Sequence, residues 1–127
     1  MISLGADIVK IVRIKKLVED KKFIDRIFTD NEIEYCNSHT KSYIHFSGKY
    51  AAKEAVKKAL LSNNLIENIS MKEIEVLNNP DKSPYITLNK LNDIKCNISI
   101  SHDGDYAIAF VIIEKWFLYL QKNKLIN

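Results

Sequence analysis

A lone acid stands among basic residues in a stretch whose composition favours a helix. In segment 46–60, FSGKYAAKEAVKKAL, Glu54 is the single acid and four lysines accompany it. Alanine, lysine and glutamate have high helix propensity, and the small alanines let such a helix lie close to a sheet. At about 100° per residue, Glu54 and Lys58 share one face. This is the local chemistry of a site for a divalent cation with phosphate; the alternative is an exposed ion pair.

A second acid lies in an apolar segment at the start of the chain. Residues 1–9, MISLGADIV, include β-branched residues and predict a strand that runs from edge to centre of a sheet. Burying the Asp7 carboxylate there costs free energy unless it meets a cation or several donors. Asp7 is therefore a second candidate metal ligand. Alternatively, the strand ends at Asp7, which then caps the helix that follows.

A histidine lies within the third informative segment, residues 97–113. Ile98 and Ile100 alternate with serines, which is the period of a strand with one buried face. The pair Asp103-Gly104 indicates a hairpin turn, and residues 106–113 are apolar enough for a strand in the centre of a sheet. His102 thus stands at a strand end, where ligands commonly meet sheets, although a histidine beside a turn is more often structural or solvated.

In this order and spacing, the three segments resemble the 4′-phosphopantetheinyl transferases of the short, holo-acyl-carrier-protein synthase type. Residues 5–9 match the Gly-x-Asp-Ile-Val opening, and residues 23–32 match Phe-x-x-Arg-Ile-(Phe/Leu)-Thr-x-x-Glu. Residues 46–55 match Phe-x-Gly-Arg-(Phe/Tyr)-Ala-Ala-Lys-Glu-Ala, and residues 99–102 match Ser-Ile-(Ser/Thr)-His. The resemblance covers about residues 2–114. Lys49 replaces the family's arginine, which keeps the charge but loses bidentate phosphate geometry. Asp81-Lys82-Ser83-Pro84 stands where the family reads Gly-Lys-Pro.

The resemblance implies an activity and roles for the site residues. The family moves the phosphopantetheine group of coenzyme A to a serine of apo-acyl carrier protein, for fatty acid biosynthesis, and releases adenosine 3′,5′-bisphosphate. Asp7 and Glu54 would hold Mg²⁺, or Mn²⁺, together with substrate phosphates. Lys58 would offset charge on the pyrophosphate, and Glu54 or a water on the metal would take the serine proton. The coenzyme would be bound by Lys49, Lys58, Pro84 and His102.

The segment between residues 10 and 26 predicts a surface for an acidic partner. It holds seven basic and three acidic residues, and its apolar residues recur at helical spacing, so the opposite face is cationic. Acyl carrier proteins are acidic, and complementary charge would orient their approach. The contact candidates are Arg13, Leu17, Lys22, Phe23 and Arg26. A solvated face without a partner is the alternative, and a net charge of +3 is weak for nucleic acid.

The length and composition of the chain limit the class of protein further. A chain of 127 residues with 46% hydrophobic and 28% charged residues is typical of one globular domain. No apolar run reaches the roughly 18 residues that would cross a membrane. Cys36 and Cys96 show no metal-site or disulfide spacing, so we expect free thiols in the cytoplasm.

Longer relatives in the family carry two such folds in one chain, with the site between them. The resemblance therefore implies a homotrimer with sites at subunit interfaces.

The elements that must position these residues follow from local patterns. We predict a strand at 2–8, a helix at about 10–27 with a possible break near Lys21, and a short helix opened by a capping box at Thr29–Glu32. A long helix follows at about 41–61. Hairpins are predicted at 73–88 and around Gly104, and a helix at 114–124. The predicted fold is α+β, a single domain over residues 1–127, with a mainly antiparallel sheet packed against the long central helix. The C-terminal extension covers about 115–127.

Two other functional classes remain open on the sequence. One is a metal-dependent phosphohydrolase or nucleotide-binding enzyme that uses the same pair, Asp7 and Glu54. The other is a non-enzymatic basic binding module, in which Glu54 and Lys58 form a surface ion pair. The chain has only three glycines, so a glycine-rich phosphate loop is excluded, and side chains with a metal must hold any phosphate.

Overall fold

Helices dominate the first half of the fold and strands the second half. The computed structural model of the protein describes residues 1–115, which form four α-helices and five strands. In chain order they are β1 (Ile2–Lys10), α1 (Ile11–Leu17), α2 (Lys21–Ile27), α3 (Asp30–Asn37), α4 (Ser42–Ser62), β2 (Ile74–Asn78), β3 (Pro84–Leu88), β4 (Ile94–Asp103) and β5 (Tyr106–Lys115). A 3₁₀ turn, Met71–Glu73, precedes β2.

The strands form two antiparallel sheets. One has the order β1-β5-β4, with the apolar strand β5 in the middle, and the other is the β2-β3 hairpin. In this register Asp7 lies opposite Ala109, and His102 lies opposite Ala107. The predicted α+β fold with antiparallel strands and a long packed helix is confirmed, although the strands divide between two sheets.

Helix α4 lies in close contact with strand β1. Four alanines of α4, at positions 51, 52, 55 and 59, are fully buried. A Cβ atom added to Gly5 would stand only 1.9 Å from the carbonyl oxygen of Ala55. Only glycine therefore fits at this point of β1, because any side chain would force the strand and the helix apart. This close approach holds Asp7 beside the face of α4 that carries Lys58.

A buried ion pair and its hydrogen bonds join α4 to four other elements. Lys53 and Glu32 are both fully buried, and their charged atoms are 2.5 Å apart. The Lys53 Nζ atom also donates hydrogen bonds to the carbonyls of Ile27, Met71 and Ile74, at 2.9, 3.0 and 2.7 Å. Burial lowers the pKa of Lys53, whereas the Glu32 carboxylate raises it. The Lys53 side chain thus provides hydrogen-bond donors for main-chain carbonyls at the end of α2, in the 3₁₀ turn and at the start of β2.

The structure refines several predicted boundaries. The expected helix over residues 10–27 is two helices, because the Asp20 side chain accepts a hydrogen bond from the Lys22 amide and starts α2 anew. The capping box of Thr29 and Glu32 is confirmed at the start of α3. Strand β1 extends to Lys10, so Asp7 lies inside the strand, and the alternative that it caps α1 is excluded.

The end of the described chain differs from the prediction of a helix over 114–124. Glu114 and Lys115 belong to β5, where Glu114 pairs with Ile2 of β1 and Lys115 pairs with Ile94 of β4. The prediction of helix is wrong for these two residues, because both continue the strand ladder. The rest of the predicted helix and of the C-terminal extension lies outside the described residues.

The side of the three-stranded sheet away from α4 exposes apolar side chains. Their exposed fractions range from 43% to 63%, and they alternate with the buried residues of the same strands. We call them the apolar sheet face: Ile2, Leu4, Ile8, Tyr106, Ile108 and Phe110. Such a contiguous apolar surface typically marks an interaction site. Within residues 1–115, no helix has both the length and the hydropathy to span a bilayer.

Candidate functional site

Asp7 and Lys58 meet where β1 crosses α4. The Lys58 Nζ atom donates a hydrogen bond of 2.7 Å to Asp7 Oδ1 and one of 3.2 Å to the carbonyl oxygen of Ala6. The Asp7 side chain is only 13% exposed, whereas that of Lys58 is 55% exposed. The hydrogen bond that Lys58 donates to Asp7 raises the pKa of Lys58, and the nearby Glu54 carboxylate adds to that rise. The structure therefore places the strand acid within reach of the helix cation.

Glu54 and Tyr50 complete the same group. Burial raises the pKa of Tyr50, and the carboxylates of Glu54 and Asp7 raise it further, Glu54 also through a hydrogen bond. The positive charge of Arg13 acts in the opposite direction and lowers the pKa of the same hydroxyl. We call Asp7, Tyr50, Glu54 and Lys58 the Asp7 cluster. It brings together the three residues predicted to be catalytic.

The Asp7 cluster fits a hard divalent cation only in company with other oxygen ligands. Among residues 1–115, no three side chains of His, Cys, Asp or Glu lie close enough together to hold a metal ion. Mg²⁺ commonly keeps several waters and takes one or two carboxylates plus substrate phosphates. Asp7 and Glu54 are that kind of donor set. They suit a cation that arrives with phosphate oxygens, and they do not suit a metal held by protein alone.

A second group of predicted residues lines a cavity at the other side of α4. The cavity has a volume of about 330 Å³ and lies between α3, the start of α4, the β2–β3 hairpin and β4. The residues that line it include two lysines, three histidines and a proline: Lys49, Lys82, His39, His45, His102 and Pro84. Among the described residues that line it, none carries a carboxylate. We call this cavity the histidine pocket; its walls favour an anion.

Lys49 has fixed partners in the wall of the histidine pocket. It is 3% exposed, and its Nζ atom donates to the carbonyl of Val76 at 2.7 Å and to Asn78 Oδ1 at 2.6 Å. The ammonium also lies 4.5 Å from the centroid of the Tyr35 ring. Burial lowers the pKa of Lys49. Because its position is held by these contacts, Lys49 supplies a stationary positive charge at the pocket.

The Asp7 cluster and the histidine pocket lie on different sides of α4 in one chain. Lys49 and Lys58 are nine residues apart, which is two and a half turns and roughly 14 Å along the helix axis. Lys49 contacts β2, whereas Lys58 contacts β1. None of Asp7, Glu54 and Lys58 lines the described pocket. Lys58, expected in both sets, therefore belongs to the Asp7 cluster.

Four of the five residues predicted to contact the partner are exposed or half-buried, and their role in binding stays a prediction. Arg13, Lys22 and Arg26 are exposed, and Leu17 is half-buried. Phe23 is buried, because its ring packs 6.0 Å from that of Tyr50 and 6.3 Å from that of Phe28. Phe23 thus exposes little of its side chain, and its contact with the partner stays a prediction. We call Arg13, Leu17, Lys22 and Arg26 the basic surface; through Arg13 it adjoins the Asp7 cluster.

Sequence reasoning missed three cationic or titratable residues of the histidine pocket. His39 follows α3, His45 lies in the first turns of α4, and Lys82 lies in the β2–β3 turn with a positive φ of 73°. The one signal available for Lys82 was its match to the lysine of the Gly-Lys-Pro motif. No periodicity links the two histidines to each other or to His102.

Comparison with known proteins gives a consistent result. The family profile of the 4′-phosphopantetheinyl transferase superfamily matches residues 3–111. The chain is 44% identical to the holo-[acyl-carrier-protein] synthase of Thermodesulfovibrio yellowstonii over 113 residues, which cover 87% of this chain and 96% of that protein. It is similar to the crystal structure of the Helicobacter pylori holo-[acyl-carrier-protein] synthase in complex with coenzyme A, with a TM-score of 0.73 at 35% identity. That match covers 87% of this chain and 99% of the other. A Bacillus anthracis synthase in complex with coenzyme A (3′,5′-ADP) has a TM-score of 0.75 at 29% identity, covering 89% and 96%.

Proposed function

The chain belongs to the 4′-phosphopantetheinyl transferase superfamily, and from this premise we propose how its residues carry out the reaction. The enzyme transfers the 4′-phosphopantetheine group of coenzyme A to a serine of apo-acyl carrier protein, for fatty acid biosynthesis, and releases adenosine 3′,5′-bisphosphate. One observation carries the assignment of roles. Asp7 on β1 and Lys58 on α4 are in contact, and Glu54 lies one turn from Lys58 on the same helix face.

The reaction joins the serine oxygen to the β-phosphorus of coenzyme A and breaks the bond from that phosphorus to the bridging oxygen. Catalysis of such a transfer is mostly positioning and stabilisation of charge. We assign the serine proton to the Glu54 carboxylate, which acts as general base. Lys58 stabilises the negative charge that develops on the departing phosphate oxygen. Asp7 keeps Lys58 charged, because their hydrogen bond raises the pKa of the lysine.

Asp7 and Glu54 are the residues that would hold Mg²⁺, with Mn²⁺ as a substitute. When bound, the cation supplies charge neutralisation for the diphosphate. Support comes from the two-carboxylate composition of the Asp7 cluster, which matches how Mg²⁺ is bound beside substrate phosphates.

The histidine pocket is the proposed site for the adenosine end of coenzyme A. Lys49, Pro84 and His102 all line it, as expected from the resemblance, and Lys82 adds a further positive charge. A pocket with cationic walls and no carboxylate favours phosphate groups. Lys49 acts there through its charge, since its hydrogen bonds to Val76 and Asn78 are already formed.

We propose that the complete site forms between subunits of a homotrimer. One chain presents the Asp7 cluster and the histidine pocket on different sides of α4, so a single coenzyme molecule would need the pocket of a neighbouring chain. The apolar sheet face gives a surface for such assembly, because six large apolar side chains there would otherwise remain in water.

The basic surface is the proposed docking site for acyl carrier protein. Arg13, Lys22 and Arg26 are exposed cations on α1 and α2, and Leu17 adds a half-buried apolar contact. An acidic carrier would be steered to this surface. Because Arg13 influences Tyr50 of the Asp7 cluster, a carrier bound here would have its serine near the proposed base. We place the reaction in the cytoplasm, without nucleic acid or membrane; the free thiols Cys36 and Cys96 suit a reducing compartment.

Incubation with coenzyme A, Mg²⁺ and an apo-acyl carrier protein tests these roles. Mass spectrometry of the carrier should show the gain of one phosphopantetheine group. Glu54→Gln should abolish the gain, because the amide cannot take a proton, while Glu67→Gln, at an exposed acid away from the site, should leave it intact. Full activity of Glu54→Gln would contradict the roles assigned here, and free phosphate without a modified carrier would indicate hydrolysis.

A further inference from the structure

All three histidines of the chain line one cavity. His39, His45 and His102 are the chain's complete set, and each contributes to the wall of the histidine pocket. His102 was expected to bind the coenzyme from the resemblance to the family. The other two come from the α3–α4 connection and from α4 itself, and the roles assigned above make no use of them.

His39 and His45 form a stacked pair. Their ring centroids are 3.8 Å apart with an angle of 29° between the ring planes, and the Tyr35 ring lies 4.8 Å from His39 and 5.8 Å from His45. Both histidines are half-buried. Two protonated imidazoles at this separation repel each other strongly, so the empty pocket disfavours a second proton on the pair.

The hydrogen bonds of His39 identify the ring atom that is free to bind. Its Nδ1 atom lies 2.9 Å from the carbonyl oxygen of Tyr35 and 3.2 Å from Ser38 Oγ. A carbonyl oxygen can only accept, so Nδ1 carries the hydrogen and donates it. In the neutral ring Nε2 is then an acceptor, which repels an anion. Protonation turns Nε2 into a donor that an anion can bind.

The surroundings of His45 resist protonation in the absence of an anion. Burial lowers the pKa of His45, and every charged group that faces it acts in the same direction. These groups come from four elements: His39 beside α3, Lys49 on α4, Lys82 in the β2–β3 turn and His102 on β4. A phosphate dianion in the pocket would reverse this balance, because an opposite charge stabilises the protonated ring.

We propose that His39 and His45 are further phosphate-binding residues of the histidine pocket, and that binding of an adenosine phosphate places a proton on this pair. The inference rests on the proposed function, in which the adenosine end of coenzyme A occupies this pocket. Because the complex holds more protons than the free protein, affinity for the phosphate rises as the pH falls. The pair therefore makes recognition of the nucleotide depend on pH near neutrality.

Isothermal titration calorimetry with adenosine 3′,5′-bisphosphate tests the proposal on the full-length protein. Buffers with different heats of ionisation, at about pH 6.5, report the protons taken up on binding. The wild type should take up about one proton more than the double variant His39→Asn, His45→Asn. The variant should bind about tenfold more weakly at about pH 6 and should lose less affinity at about pH 8, where neutral rings contribute little. Ionisation of the phosphate itself is common to both proteins, and adenosine without phosphate serves as the control ligand.

Equal proton uptake and equal affinity in the two proteins would overturn the inference. If the wild type modifies an acyl carrier protein normally in that case, the proposed function stands and only the role of the histidine pair fails. A wild type that neither binds the bisphosphate nor modifies the carrier overturns both. Should the double variant not fold, imidazole NMR signals of the wild type give the same answer. The pKa of His45, which burial lowers in the free protein, should rise when the bisphosphate saturates the protein, and an unchanged value would refute the proposal.

Discussion

Replacing Lys53 by methionine should destabilise the protein by about 3–5 kcal/mol, the usual cost of breaking a buried ion pair by removing one partner. Methionine has a similar length and volume, so the change creates little cavity. It leaves the Glu32 carboxylate fully buried without its cation, and three main-chain carbonyls without their donor. Since a domain of this size has a total stability of about 5–15 kcal/mol, the loss would be a large share.

The predicted loss of stability in Lys53→Met comes mainly from the buried Glu32 charge that is left without a partner. A double variant that also removes this charge measures its contribution. Glu32 accepts hydrogen bonds of 2.8 Å from the amides of Thr29 and Val76. Glu32→Gln removes the charge but keeps one oxygen, so it can accept from only one of these two amides. The double variant Lys53→Met, Glu32→Gln should therefore recover about 2 kcal/mol relative to Lys53→Met alone.

Urea denaturation followed by far-UV circular dichroism, at one fixed protein concentration, measures these differences. Lys57→Met serves as a matched control on the same helix, since Lys57 is half-exposed, and it should change stability by no more than about 0.5 kcal/mol. A cost below about 1 kcal/mol for Lys53→Met, or a double variant no more stable than the single one, would refute the reasoning.

Three further predictions concern the strand–helix contact, the assembly and pH. Gly5→Ala should destabilise the protein by about 1–3 kcal/mol and reduce transfer, because the added Cβ would stand 1.9 Å from the Ala55 carbonyl oxygen. Urea denaturation and the transfer assay measure the two effects. An unchanged midpoint of urea unfolding would contradict the prediction. Inactive Glu54→Gln and His102→Gln subunits, denatured and refolded together, should restore about a quarter of wild-type activity. In a random mixture, a quarter of the interfaces join an intact Asp7 cluster of one subunit to an intact histidine pocket of its neighbour. No recovery would mean that the cluster and the pocket must belong to the same chain. Because burial lowers the pKa of His45 below its usual 6.5, the unfolded chain binds more protons at mildly acidic pH, so stability falls as the pH drops below about 6.5. His45→Asn should show a smaller fall in melting temperature between about pH 7.5 and about pH 5.5, and an equal fall in both proteins would contradict the burial argument.

Features governed by short-range physics could be predicted from the sequence. The capping box at Thr29 follows from four consecutive residues, and the turn at Gly104, with a φ of +56°, follows from the need for a residue that tolerates that conformation. The long helix α4 follows from composition, and its face with Glu54 and Lys58 follows from helical spacing. Asp7 was identified as unusual because a carboxylate in an apolar strand needs a partner, and the structure supplies Lys58.

Features that depend on distant segments could not be predicted in the same way. The pairing of Lys53 with Glu32 joins two helices, and neither residue is distinguished locally from its charged neighbours. His39 and His45 meet across a loop, so no period reveals their stacking. Phe23 was named as a candidate partner contact, and its burial depends on where α2 begins. Because α2 starts anew after Asp20, its faces are not in phase with those of α1, and the Phe23 ring turns into the core.

The contact between Lys58 and Asp7 gives the resting enzyme an internal counterion. The lysine occupies one oxygen of the strand carboxylate, so the Mg²⁺ proposed for this site would have to compete with a tethered positive charge if it entered alone. A diphosphate changes the competition, since it attracts the lysine toward itself and brings its own oxygens to the cation. The ion and the coenzyme are therefore expected to enter as a preformed complex, and metal affinity measured on the substrate-free enzyme will understate the affinity that operates during turnover.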